Sequence, residues 1–181
     1  MKKYSYTELE QEFTRLGYSW PTVHIIGVRS KANENNKFDD NFYIINGPMM
    51  HVFTGTTNPG RHWLLNMMNP KGTAVLKPGQ YVDAYQLGLH QGKYEALVQR
   101  KPVTVYRDND RDETAEEQGK EDTGLFGINI HRANPNAISS LIEKWSAGCQ
   151  VLNDPKDFAT LIATCKASGK KTFTYTLLRE F

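Results

Sequence analysis

Apolar positions change their spacing along this chain, and the changes mark out elements. Leu9, Phe13 and Leu16 recur as one face of a helix. Thr7 with Glu10 three residues later makes a capping-box pattern, and Gly17 supplies a stop. A short first helix is predicted there. The apolar runs that follow are brief and rich in β-branched and aromatic residues, at 23–28, 42–45, 52–54, 80–89, 103–106 and 125–130, with Gly, Pro, Asn and Asp between them. These predict strands. A second helix is expected after Asp154-Pro155, with Phe158, Leu161, Ile162 and Cys165 on its apolar face and Gly169 beyond its end. Residues 171–178 alternate Thr172, Thr174 and Thr176 with Phe173, Tyr175 and Leu177, the period of a last, half-buried strand. The expected fold is mainly β, in one domain over 1–181.

One stretch breaks the pattern. From Asp108 to Asp122 acidic residues crowd together, aromatic residues are missing and apolar ones nearly so, which predicts a mobile surface loop. Asp108, Asp110 and Asp112 have part of a calcium-loop spacing, but the glycine and terminal glutamate that such a loop needs are not in place.

Composition excludes several function classes. Lys and Arg number 22 against 20 Asp and Glu, for a net charge of +2, and basic residues cluster only in pairs, so no nucleic-acid surface is expected. Apolar runs end after three or four residues, far short of a membrane span. Tyr4 to Glu10 puts polar and acidic residues where a signal peptide needs an apolar stretch, so synthesis in the cytoplasm is expected. The five histidines have no zinc spacing with each other or with Cys149 and Cys165, and Gly88 to Lys93 is too short for a phosphate loop. No metal and no cofactor are expected.

Nucleophilic chemistry remains. Cys165 continues a helix face and reads as a small buried hydrophobe. Cys149 follows Trp145-Ser146-Ala147-Gly148, a small-residue turn that leaves a thiol near the surface with backbone amides around it. His131, at the end of an apolar run, could act as its base. On residues alone the alternative stays open, because two cysteines and five histidines offer ten such pairs and Cys149 can be incidental in its turn. His90 reads as a strand-end histidine bonded to a neighbouring loop or as a residue of the cleft, and Trp63 as a core anchor or a saccharide platform.

A resemblance narrows this choice. Ile130-His131 followed by Ser146-Ala147-Gly148-Cys149 resembles the signature of the L,D-transpeptidase catalytic domain, in which an Ile-His-Gly strand end precedes a Ser-His-Gly-Cys-x-Arg turn. Lys77-Pro78-Gly79-Gln80-Tyr81 is similar to the family's upstream Thr-Pro-x-Gly-x-Tyr/Phe segment, and residues 154–167 and 169–178 to its closing helix and strand. The resemblance covers about 54–181, leaving 1–53 as a helix and added strands. It departs at Ala147, where the family has histidine, at Arg132 in place of glycine, and at Gln150 beside the position of an arginine that orients a donor carboxylate.

What the resemblance implies is a β-sandwich carrying a cysteine acyltransferase that acts on peptidoglycan stem peptides. Cys149 would be the nucleophile and thioester carrier, and His131 the base and later acid. The Arg132 carbonyl would orient His131, Gly148 and Cys149 amides would hold the oxyanion, and Ser146 would brace the turn or bond the intermediate. Gln150 and His90 would meet substrate. Such a thiol is expected to react with iodoacetamide well below pH 8. Transfer to water, giving a peptide hydrolase, and an inert virion-structural or binding module are the alternatives, along with an unrelated acyltransferase or cysteine peptidase. Without a leader, action at the cell wall implies delivery by a phage particle or by lysis.

Overall fold

The computed structural model describes residues 2–181. Helix α1 (Tyr6–Leu16) is followed by strands β1 (Val23–Arg29), β2 (Asp40–Asn46) and β3 (Met49–Thr56), a short helix α2 (Arg61–Leu65), and strands β4 (Thr73–Leu76), β5 (Gly79–His90), β6 (Tyr94–Gln99), β7 (Val103–Asp108), β8 (Lys120–Gly124), β9 (Ile130–Arg132) and β10 (Gln150–Leu152). Helix α3 (Pro155–Ala167) and strand β11 (Phe173–Arg179) close the chain.

Eight strands join in the order β1-β11-β5-β6-β9-β10-β3-β2 and close into a barrel, while β4-β7-β8 form a separate small sheet. Mainly β is therefore right, but the sandwich is replaced by closure, which leaves the barrel itself no free edge. Two pairings are parallel, β1 with β11 and β9 with β10. Strands β1 and β2 are staves of this barrel and not an appendage before residue 54. Closure is helped by a register shift where β5 meets β11. There Asp83 takes a positive φ of 51°, its N–H donates to Thr174 Oγ1 at 3.1 Å, and its carboxylate accepts from Thr172 Oγ1 at 3.0 Å.

The core explains which strands alternate. Inside the barrel Ile25, Phe42, Ile44, Leu97, Ile130, Leu152, Tyr175 and Leu177 pack together, joined by Ala74, Leu76, Val103 and Val105 of the small sheet and by Phe158, Leu161, Ile162 and Cys165 of α3. On the outer face Leu9 and Phe13 of α1 cover Ile26, Val28, Tyr43, Ile45 and Leu178. Strands β1, β2 and β11 thus have both faces buried, and β11 is not the half-exposed strand its alternation predicts. Its outward threonines are satisfied by β5: besides Thr174, Thr176 Oγ1 accepts from Gln80 Nε2 at 3.2 Å.

Local corrections have physical reasons. Ser5, not Thr7, caps α1, accepting from the Glu8 N–H while the Glu8 carboxylate accepts from Ser5 N–H, and Gly17 ends the helix in the left-handed region as expected. Asp154 caps α3 as expected. Of the predicted strand at 125–130 only Ile130 is in β9, because Gly127 has φ 72° and breaks the extension. The acidic loop after β7 is tied down. The Glu117 carboxylate accepts from Arg29 Nη1 at 2.8 Å and Arg179 Nε at 2.6 Å, Ala115 is buried, and residues 120–124 form β8. Asp110, Asp112 and Glu116 do gather at its tip.

Candidate active site

The site lies where the barrel is most thinly bonded. Strand β9 pairs with β6 through Leu97 and Ile130 alone and runs parallel to the three-residue β10, with Val151 beside His131. The ladder extends one residue further, the Gln150 N–H donating to Asn129 O at 2.9 Å. Residues that are neighbours in a parallel ladder share a face, and faces alternate along a strand. Ile130, Gln150 and Leu152 point into the barrel, so Asn129, His131 and Cys149 all point outward. Strand rise and spacing put the α-carbons of His131 and Cys149 about 8 Å apart, within reach of the two side chains. A cleft of about 530 Å³ opens there between the barrel and the small sheet. Trp63, Met68, Arg107, Phe126, His90, Asn129, Ala147 and Cys149 are among the residues that line it.

The cysteine turn is braced by one hydroxyl. Ser146 is fully buried, its Oγ donates to Cys149 O at 2.8 Å and accepts from the Gly148 N–H at 3.1 Å. Gly148 has φ 120°, and a Cβ there would lie 2.5 Å from Ala74 O, so only glycine lets the turn pack on β4. Ser146 therefore does what was expected of it, whereas the Gly148 N–H is consumed within the turn and is not free for an oxyanion. The Cys149 N–H makes no hydrogen bond among the described residues. Gln150 faces away from the cleft. It is buried inside the barrel, where its Oε1 accepts from the Tyr175 hydroxyl at 2.7 Å and its Nε2 donates to Thr57 O at 3.4 Å, so it cannot meet a substrate in this cleft.

His131 is held by the carbonyl the sequence pointed to. Its Nδ1 lies 2.8 Å from Arg132 O, which fixes the proton on Nδ1 and leaves the Nε2 lone pair as a base. The Tyr94 hydroxyl sits 3.2 Å from both Nδ1 and that carbonyl. The Arg132 guanidinium lies over the Tyr94 ring at 4.1 Å and packs on it. His90 stacks on His131 with ring centroids 4.0 Å apart. Neither Tyr94 nor Asn129 was singled out from the sequence; each is one polar residue at the end of an ordinary apolar run, and only the pairing of β6 with β9 reveals them. Trp63 lines the cleft and is not a core anchor, and Trp145 is 40% exposed. Arg107 brings a charge to the cleft, but Asp122 already pairs with it at 3.0 Å.

Electrostatics leave the resting pair neutral. Burial pushes the Cys149 thiol up to about 11, opposed by the Asn129 N–H. The sulfur donates to Gly127 O at 3.4 Å and keeps an open side to the cleft. Burial, then the neighbouring His90, pushes His131 down to about 3, against the Arg132 carbonyl, which favours its charged form. Both shifts run against a thiolate–imidazolium pair at rest. Compared with known proteins, the chain matches no family model and no curated protein sequence.

Proposed function

We propose that the protein is a cysteine acyltransferase of L,D-transpeptidase type acting on peptidoglycan stem peptides. The observation that carries this reading is the cleft-lining Cys149, one residue before β10, beside the strand that holds a histidine whose Nδ1 is locked on a backbone carbonyl. With the pair neutral, proton transfer accompanies attack. Cys149 Sγ bonds the carbonyl carbon of the stem as its proton passes to His131 Nε2, and the oxyanion takes the free Cys149 N–H. On collapse the C–N bond breaks, the leaving amine takes the proton from His131, and a thioester remains. An acceptor amine or water, deprotonated by His131, then releases the acyl group and restores the thiol.

Peptidoglycan digested with wild type and with Cys149→Ala, followed by mass spectrometry of the fragments, tests this. New cross-links from wild type alone support transfer, and shortened stems alone support the hydrolytic branch. Identical fragments from both proteins overturn the reading. A second reading, an inert binding or virion-structural module on the same frame, is favoured by the raised thiol and lowered imidazole, which lie opposite to an activated ion pair.

A further inference from the structure

The acyl-transfer reading leaves a gap that the structure itself exposes. A tetrahedral oxyanion is ordinarily held by two or more fixed donors, yet the Gly148 N–H is spent on Ser146 Oγ and Ala147 offers no polar side chain. Two backbone donors of the turn, the Ala147 and Cys149 N–H groups, have no partner among the described residues. The cleft adds a side-chain donor whose orientation is set by a chain of hydrogen bonds.

That chain begins at Gln99, whose N–H donates to Asn129 Oδ1 at 2.9 Å. The contact fixes the Asn129 amide with its nitrogen turned toward His90, 3.0 Å from Nδ1. An amide nitrogen can only donate, so His90 Nδ1 must accept, and the neutral ring carries its proton on Nε2. Burial and the nearby Lys93 and Arg132 hold the ring in that neutral form. His131 has the reverse arrangement, with its proton on Nδ1. Two stacked imidazoles thus carry opposite tautomers, one a base at Nε2 and the other a donor at Nε2. Among the described residues His90 makes its side-chain hydrogen bond through Nδ1 and none through Nε2, on a ring that lines the same cleft as Cys149.

We propose that His90 is a catalytic residue, its Nε2–H the second oxyanion donor of the site, replacing the Gly148 amide. This rests on the acyl-transfer reading. The substrate class it implies is an amide or ester whose carbonyl oxygen sits between the Cys149 N–H and His90 Nε2–H. No charge is required of His90 at any step: it donates one hydrogen bond that strengthens as the carbonyl becomes an oxyanion.

Two variants separate this role from a structural one. His90→Phe keeps a flat ring against His131 and removes the donor; His90→Gln removes the ring and restores an amide N–H. Rates of acylation of Cys149 by a stem peptide, followed by intact-protein mass, are expected to fall about 10²–10³-fold in His90→Phe through kcat with KM unchanged, and to recover at least tenfold in His90→Gln. In the free protein, ¹⁵N chemical shifts are expected to show the Nε2–H tautomer for His90 and the Nδ1–H tautomer for His131. Full activity in His90→Phe, or an Nδ1–H tautomer at His90, overturns the inference while leaving the acyl-transfer reading intact. Absence of any wild-type acylation overturns both.

Discussion

At the scale of single residues, the cysteine turn shows how little separates a nucleophile from an ordinary buried thiol. Cys149 and Cys165 are both raised by burial, to about 11 and about 12, but Cys149 is partly exposed and lines the cleft, whereas Cys165 is sealed on the core-facing side of α3. Access, not ionisation, is therefore what distinguishes them. Iodoacetamide should label Cys149 well before Cys165, at a rate that climbs steadily with pH through 8; an inflection near pH 6–7 would show a thiolate pair that this geometry does not provide. Gly148→Ala should be costly for a different reason, combining left-handed strain with a 2.5 Å approach to Ala74 O. A loss of about 1–3 kcal/mol is expected, read as a fall in thermal midpoint, and an unchanged midpoint would mean the turn can relax off β4.

Elements were legible wherever local chemistry decided them. The proline and aspartate at the start of α3, Gly17 after α1 and the apolar runs of β1, β2 and β5 each act through their own backbone, so the pattern alone finds them. Strands β9 and β10 have three residues each and exist because they pair with one another, and β8 forms from charged residues that lie along β7. No local period marks such segments. The acidic loop misled for the same reason: its order comes from distant cations on β1 and β11, which composition cannot reveal. Glu117→Gln should therefore destabilise by about 2 kcal/mol, since Arg29 is buried and loses the charge facing it. Glu121→Gln, at the exposed pair with Lys77, should leave the unfolding midpoint unchanged. Equal midpoints for the two variants would show that the strap contributes nothing.

For the site, the structure gathers the sulfur, imidazole and serine chosen from the sequence around β9 and β10, but their surroundings differ from those expected. Gln150 was read as facing substrate because it stands beside the position of the family's carboxylate-orienting arginine, yet alternation along β10 turns it into the barrel toward Tyr175. Gly148 was read as an oxyanion donor because its amide is in the turn, yet a hydroxyl two residues earlier claims it. Both errors concern which way a group points, and that depends on register.

The whole molecule should register its buried imidazoles in its acid stability. His24 lies beside Phe13 and Trp20 with Nδ1 bonded to Pro21 O and Nε2 unpartnered, and burial pushes it down to about 4. The unfolded chain binds that proton near 6.5 and the folded chain does not until about 4, so stability falls as pH drops through this window. The difference is worth about 3 kcal/mol. His131 acts in the same direction. Asp39 and Asp108, each raised by burial to about 6, oppose it, because the folded state protonates them before the unfolded chain does. Comparing wild type with His24→Leu in urea at pH 7 and pH 4.5 isolates one contribution: the variant should lose less stability on acidification, and an equal loss would place the acid sensitivity elsewhere.

The account as a whole depends on a covalent bond to one sulfur. Incubating the intact protein with stem peptides and measuring its mass tests this most directly. The predicted result is an acyl adduct mapped to Cys149, removed by hydroxylamine and missing from Cys149→Ala and His131→Ala. A wild-type protein whose mass never changes, with stem peptides left whole, would contradict it.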